Sequence, residues 1–225
     1  MHIPDGFINS GVSVGAGVVA VGALSVCVRK TAEVMEERQA PMAGLVAAFI
    51  FAVQMLNFPV ASGTSGHLLG GVLAAVLVGP WAGAVCVAVV LLVQALLFAD
   101  GGLSALGLNV VNMALVTAFG GYAVFVVLRK VTPKSRAGVM AASGVAACVG
   151  VVLASVAFTV EYALGGQGGA SVGTVATAMI GTHVLIGIGE GFITALTIGA
   201  VLAVRADLVW GATDLVPHLE LRAPA

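Results

Sequence analysis

Residues 67–79, which read HLLGGVLAAVLVG, decide how often this chain crosses a membrane. The segment is apolar after its histidine, but as a helix it would span only about 20 Å, at about 1.5 Å per residue. A helix that crosses the hydrocarbon core of a bilayer needs about 20 apolar residues. Length alone therefore argues against a crossing, and the sequence on either side has to decide.

The rest of the chain has the composition of a membrane protein. Hydrophobic residues make up 60% of its 225 residues, charged residues make up 8%, and the mean hydropathy is +1.14. A soluble domain usually carries about 25% charged residues. Six apolar runs are near or above the length of a crossing, namely 11–28, 42–58, 82–99, 110–128, 137–160 and 172–204. The last run is too long for one crossing, and we expect its glycines to divide it into a half-helix and one full crossing.

The lysine and arginine residues decide whether residues 67–79 cross. These residues are Arg29, Lys30, Arg38, Arg129, Lys130, Lys134, Arg136, Arg205 and Arg222. If the segment crosses, the chain has seven helices and every basic residue falls on one side, which the positive-inside rule makes cytoplasmic. If it does not cross, the basic group at 129–136 moves to the opposite side, against that rule.

We therefore predict an all-α, polytopic membrane protein with seven transmembrane helices, its N-terminus outside and its C-terminus inside. Residues 1–225 form one integral membrane domain, with an N-terminal segment 1–10, a bundle 11–204 and a cytoplasmic tail 205–225. The opening residues have neither a basic stretch nor an early apolar run, so no cleavable signal peptide is expected. The net charge of −1 gives no argument for a nucleic-acid partner.

A short crossing at 67–79 requires the preceding residues to enter the membrane. Irregular backbone is tolerated at that depth only inside protein or beside a cavity. Residues 59–66 are therefore expected to form a loop that is recessed into the bundle from the outer face. This places His67 at the floor of a pocket that opens outward.

The N-terminus supplies a possible metal chelate. The amine of Met1, the amide nitrogen of His2 and the His2 imidazole can close on one ion through a five-membered and a six-membered ring. Late divalent metals promote loss of the amide proton, and planar nitrogen coordination suits Ni²⁺ or Cu²⁺ and can be imposed on Co²⁺. His67 would complete a square of nitrogens, whereas Mg²⁺ and Ca²⁺ prefer oxygen ligands.

Further polar residues lie within or beside apolar runs, where such residues are often functional. The candidates for a second shell or an ion pathway are Asn57, Thr64, Ser65, Asn109, Asn112, His183 and Glu190. We identify Glu190 as the one carboxylate inside an apolar run. Pairing with His183 is its favoured role, and capping a broken helix or lining an ion path remain open.

Other chemistry finds little support in the sequence. Each of the three cysteines, Cys27, Cys86 and Cys148, stands alone in an apolar run, which predicts no thiolate metal site. No GxxxxGK[ST] phosphate-binding loop occurs, so any ATP hydrolysis by that route has to come from a partner. If the chain takes part in active transport, a partner therefore has to supply the energy.

Four motifs resemble the CbiM/NikM family, the substrate-binding membrane components of energy-coupling factor importers for cobalt and nickel. They are MHIPDGF at 1–7, NFPVASGTSGHLLGG at 57–71, LGLNVVNM at 106–113 and HVLIGIGEG at 183–191. The second motif departs from the family at 60–63, where VASG stands in place of a Pro-Gly type of turn.

The resemblance implies a seven-helix fold with an outward N-terminus. It also implies Co²⁺ or Ni²⁺ as the transported substrate, with Met1, His2 and His67 as metal ligands and cobalt for cobalamin synthesis as the favoured role. The implied partners are a transmembrane coupling subunit, two ATP-binding cassette subunits and a small accessory membrane subunit, in a bacterial or archaeal cell membrane. The N-terminal segment and the loop at 59–66 are expected to close over the ion before ATP-driven release to the inside.

Two other functions remain as alternatives. GTSG at 63–66 fits the GxSG pattern of rhomboid-type proteases, with Ser65 as nucleophile and His183 as base. Alternatively, Glu190 and His183 could serve a secondary carrier that needs no ATP-binding partner, although such carriers often have two similar halves and no such symmetry is evident.

Overall fold

Helices dominate the part of the chain that the structure describes. The computed structural model describes residues 1–35, 37–56, 58–60 and 64–215. Its helices are α1 (Ser10–Val34), α2 (Ala40–Gln54), α3 (Gly71–Val78), α4 (Pro80–Leu97), α5 (Leu106–Arg129), α6 (Arg136–Gly165) and α7 (Val172–Val204). Helix α5 has π-helical geometry over Val110–Gly121. The two strands β1 (Phe58–Val60) and β2 (Thr64–Gly66) pair antiparallel.

Three of the long helices, α1, α6 and α7, follow residues whose side chains accept hydrogen bonds from the first turn. Asn9 Oδ1 accepts from the Val12 N–H at 2.9 Å, and the hydroxyls of Ser135 and Ser171 cap α6 and α7 in the same way. Among the described residues, five helices (α1, α4, α5, α6 and α7) are long and apolar enough to cross a membrane. This fits the predicted class of polytopic helical membrane protein.

The segment at 67–79 is shorter as a helix than predicted. Only Gly71–Val78 is helical, which gives α3 a length of about 12 Å, and every residue of α3 is buried. The expected loop at 59–66 is instead a β-hairpin in its described part, and residues 61–63 lie outside that part. Gly70 enters α3 with φ +77°, and a Cβ there would come within 2.8 Å of the Ile50 side chain, so this position requires glycine.

The helix ends gather into two groups. At one end a small pocket brings together Val34, Gln39, Gly79 and Trp210, so the end of α3 lies beside the end of α1 and the start of α2. Described basic residues at the helix ends of this group include Arg29, Lys30, Arg129, Lys130, Lys134, Arg136 and Arg205. At the opposite end the N–H of Asn9 donates to the Gly165 carbonyl at 2.7 Å. The segment 67–79 thus leads from the N-terminal end of the bundle to its basic end.

Helix α7 is continuous, which contradicts the predicted division of 172–204. It runs for 33 residues without a break. Two of its glycines serve helix packing instead: a Cβ on Gly191 would lie 2.7 Å from the Gly144 carbonyl oxygen, and one on Gly187 would lie 2.9 Å from that of Cys148. Small residues allow the backbones of α6 and α7 to approach closely, as is common in membrane bundles.

Candidate metal centre

The N-terminal segment is inserted into the end of the bundle. The side chains of Met1 and Ile3 are fully buried, and His2 is 4% exposed. Asn109 holds the segment with its amide group: its Oδ1 accepts from the Ile3 N–H at 2.8 Å, and its Nδ2 donates to the Ile3 carbonyl at 3.3 Å. The Gly102 N–H donates to the same carbonyl at 2.8 Å. Asn109, a candidate from the sequence, therefore acts on the backbone next to His2.

The loop between α4 and α5 forms a second wall around this segment. Asp5 Oδ1 accepts hydrogen bonds from the Ser104 N–H at 2.8 Å and the Ser104 hydroxyl at 2.5 Å, and these bonds lower the pKa of Asp5. Gly101 has φ +90°, and a Cβ there would lie 2.9 Å from His2 Nδ1. The sequence gives little indication of this loop beyond the turn-forming run Asp-Gly-Gly at 100–102.

The two histidines predicted as ligands lie together. The ring centroids of His2 and His67 are 4.6 Å apart, with the planes 31° from parallel. His67 is fully buried, and its Nδ1–H donates to the Leu68 carbonyl at 2.8 Å. A carbonyl oxygen only accepts, so this bond leaves His67 Nε2 as the nitrogen with the lone pair. This nitrogen has no hydrogen-bond partner among the described residues, which is the state required of a metal ligand.

Burial keeps the other candidate ligands neutral. It lowers the pKa of the Met1 amine from 8.0 to about 4, against the opposing effect of the Asp100 carboxylate. Burial, followed by the charge of the nearby amine, lowers the pKa of His2 from 6.5 to about 3. At pH 7 both groups are therefore neutral, so an incoming ion displaces no proton from either of them.

The carboxylate of Asp100 lies next to the imidazole of His2. Its Oδ2 is 3.6 Å from His2 Nε2, beyond hydrogen-bond distance, and its side chain is 20% exposed. A carboxylate at this nitrogen favours the tautomer with the proton on Nε2, which leaves Nδ1 free. Nδ1 is the nitrogen that closes a six-membered chelate ring with the His2 amide. A carboxylate behind a ligating histidine is a common second-shell arrangement at metal sites.

Replacing Asp100 by asparagine tests this orientation. We expect Asp100→Asn to weaken metal binding by about 10-fold or more, the usual cost of losing such a second-shell partner. Titration calorimetry with Co²⁺ and Ni²⁺ measures the change. Asp214→Asn is the control, because Asp214 pairs with Arg129 at 2.6 Å at the basic end of the bundle. Equal affinities for the two variants would contradict the role of Asp100.

His183 and Glu190 do not form the predicted pair. His183 is fully buried, its Nδ1–H donates to the Met179 carbonyl at 2.7 Å, and its Nε2 has no hydrogen-bond partner among the described residues. The two carboxylate oxygens of Glu190 accept from the N–H groups of Leu69 and Gly70. His183 and Glu190 are seven residues apart on one helix, which separates them by about 10 Å along its axis. They are therefore too far apart to pair, and each makes hydrogen bonds to other groups. His183 nonetheless lies near enough to the Met1 amine to interact with it electrostatically.

The other polar residues that the sequence suggested for the metal site or an ion pathway are not placed at the metal centre. Asn112 Nδ2 donates to Glu161 at 2.6 Å. Glu161 is a second buried carboxylate, which corrects the expectation that Glu190 stands alone. The sequence did not single out Glu161, because the apolar run ends at residue 160, whereas α6 continues to Gly165. Thr64 and Ser65 lie in β2 by their backbone, their side chains are not described, and Asn57 lies outside the described residues.

Side chains alone do not make this centre. Within the described part of the chain, no group of three or more His, Cys, Asp or Glu side chains is arranged to hold a metal ion. The described residues instead combine two imidazoles with the backbone nitrogens of Met1 and His2. Such a set offers nitrogen ligands, which late divalent transition metals prefer.

Known proteins similar to this chain are metal transporters. Residues 2–208 match CbiM, the cobalt uptake substrate-specific transmembrane region. A cobalt transport protein of Pelobacter propionicus is 35% identical over 209 residues, which cover 90% of this chain and 91% of that protein. A fused nickel transport protein of Rhodobacter capsulatus is 37% identical over 163 residues, which cover 72% of this chain and 47% of that protein. The crystal structure of a truncated transition metal transporter has 30% identity and a TM-score of 0.83, over 90% of this chain and 99% of that one.

Proposed function

Because this chain belongs to the CbiM family of cobalt-uptake transmembrane proteins, we propose that it captures Co²⁺ or Ni²⁺ outside the cell and delivers it inward as the substrate-binding subunit of an ATP-driven importer. The observation that carries the proposal is the burial of Met1 and His2 directly against His67. A buried N-terminus with a neutral amine has little structural benefit, but it suits a chelate that encloses its ion.

The proposed coordination is a square of four nitrogens. The Met1 amine, the His2 amide and His2 Nδ1 take three positions, with the amide in the middle of the chelate. His67 Nε2 takes the fourth position, opposite the amide. Metal–nitrogen bonds of about 2 Å require the two imidazoles to lie close together, and the ring separation of 4.6 Å supports this.

The proposed topology has seven crossings, with the metal centre on the outer side. The grouping of described basic residues at one end of the bundle supports a cytoplasmic location for that end. The short helix α3 then makes the third crossing together with the non-helical residues before it. His67 lies at the point where the chain enters this reduced crossing, inside protein rather than in lipid.

Delivery is proposed to need partners. A transmembrane coupling subunit, two ATP-binding cassette subunits and a small accessory membrane subunit would supply the energy and open the site inward. Cobalt is the favoured substrate, with nickel in the same role as the alternative, and relatives named for each metal support both. Nothing in the comparisons points to a serine protease built on Ser65 and His183.

The test is metal uptake into membrane vesicles that contain this chain with or without its ATP-binding partners. We expect uptake of Co²⁺ or Ni²⁺, but not Mg²⁺, that requires ATP and the partners, because nitrogen ligands disfavour Mg²⁺. Uptake by the chain alone, driven by an ion gradient, would favour the secondary carrier instead. Absence of Co²⁺ and Ni²⁺ binding to the purified protein would contradict the proposal altogether.

A further inference from the structure

The four residues His67–Gly70 are held in place by helices that are distant in sequence. Glu190 of α7 accepts the N–H of Leu69 through Oε2 at 2.5 Å and the N–H of Gly70 through Oε1 at 2.9 Å. Gln54, at the end of α2, donates from Nε2 to the Leu69 carbonyl at 2.7 Å. The backbone of Leu69 is therefore fixed on both sides, two residues after the His67 ligand.

The carboxylate of Glu190 also places a negative group just before the N-terminus of α3. The residue before α3 is Gly70, which has no side chain to accept hydrogen bonds from the first turn. A negative group at a helix N-terminus is favourable because the backbone N–H groups there lack partners. Glu190 supplies this group from another helix, so the position of α3 and of the residues before it depends on α7.

A buried carboxylate is costly unless hydrogen bonds compensate for its lost hydration. Glu190 is 2% exposed, and both of its oxygens are used on the His67 segment. Hydrogen bonds to an ionised acceptor are about twice as strong as those between neutral groups. A carboxylate here accepts both N–H groups, one on each oxygen, whereas a glutamine of the same shape can accept only one.

A small cavity lies beside Glu190 and the residues that it holds. The cavity has a volume of about 10 Å³, and Gln54, Gly70, Glu190 and Thr194 are among its lining residues. Gln54 Oε1 and the Thr194 hydroxyl are buried without a hydrogen-bond partner among the described residues. The atoms that face the cavity are apolar, so it offers unfilled space beside Glu190 rather than a site for a water molecule.

We propose that Glu190 is the positioning residue for His67, and that its contact with the N–H groups of Leu69 and Gly70 sets how long the ion stays bound. The inference rests on the proposed function, since it assigns a role at the same metal site. A shift of α7 relative to α3 breaks this contact, frees the His67 segment and removes the fourth nitrogen from the ion. Glu190 does not touch the metal in this scheme.

Glu190→Gln tests the proposal. The glutamine keeps one acceptor oxygen but turns an NH₂ donor towards a backbone N–H, so one hydrogen bond is lost. We expect Co²⁺ to leave this variant at least about 10-fold faster than the unmodified protein, when bound Co²⁺ is chased with a chelator. We also expect the absorption bands of bound Co²⁺ to shift, and the amides of Leu69 and Gly70 to exchange hydrogen faster without metal.

Glu161→Gln is the matched control. It also removes a buried carboxylate, but its carbonyl oxygen can still accept from Asn112 Nδ2, so release within about 2-fold of the unmodified rate is expected. Glu190→Asp keeps the charge and is expected to retain more of the slow release than Glu190→Gln. If Glu190→Gln does not fold, Gln54→Leu removes the bond to the Leu69 carbonyl and is expected to speed release in the same direction.

The outcomes separate this proposal from the proposed function. Unmodified release, spectrum and amide exchange in Glu190→Gln, or in Gln54→Leu if only that variant folds, would overturn the positioning role while leaving metal capture intact. If the unmodified protein bound neither Co²⁺ nor Ni²⁺, the proposed function would fail instead. The amide exchange of Leu69 and Gly70 would then still decide whether Glu190 holds the segment.

Discussion

A single residue added before Met1 is expected to abolish tight binding of Co²⁺ and Ni²⁺. The addition converts the Met1 amine into a peptide nitrogen, which has no free lone pair at pH 7. It also forces extra atoms into a site where Met1 is fully buried. We expect the affinity to fall by about 1,000-fold or more, which corresponds to about 4 kcal/mol. Titration calorimetry on the purified protein measures the loss directly.

The same residue added after the last residue of the chain provides the control for this experiment. It lengthens the protein by the same residue but leaves the N-terminal segment intact. We expect this control to keep one-to-one binding. If both extended proteins bind equally well, the amine is not a ligand, and His67 and His183 become the candidates for a site without the N-terminus.

The sequence predicted the class of fold because lipid imposes simple rules on composition and length. Runs of apolar residues indicated the long helices, and the basic residues indicated that residues 67–79 lead from one end of the bundle to the other. The sequence did not predict that α3 has only eight residues. Leu69 and Gly70, just before the helix, are hydrogen-bonded to Glu190, which lies about 120 residues later in the chain, and such a contact leaves no local pattern.

Only part of the candidate metal centre could be predicted from the sequence, again because some of its contacts leave no local pattern. The proposed Met1–His2 chelate is a local feature, since all its atoms belong to adjacent residues, and the contact of His2 with His67 was expected from the topology. Asp100 and Ser104 belong to a polar loop that looks like an ordinary turn in the sequence. The predicted break in α7 was wrong. Glycine weakens an isolated helix, but close packing of α7 on α6 favours glycine at Gly187 and Gly191.

His67→Gln is expected to produce the second large loss of binding. Glutamine is polar and of comparable size, so it can occupy the buried position, but its amide is a poor nitrogen donor to a metal. The ion would keep the three nitrogens of Met1 and His2 and lose the one opposite the His2 amide. We expect about 100-fold weaker binding, or about 2.7 kcal/mol. The absorption spectrum of bound Ni²⁺ is expected to change with the loss of the fourth nitrogen.

His183→Gln is the comparison that makes this result specific. His183 is as deeply buried as His67, donates from Nδ1 to a backbone carbonyl in the same way, and also has an Nε2 without a hydrogen-bond partner among the described residues. It differs in position, because the His2 ring lies 4.6 Å from that of His67. We therefore expect less than about 10-fold weaker binding for His183→Gln. A reversed order of the two losses would assign the fourth nitrogen to His183 and move the metal centre towards α7.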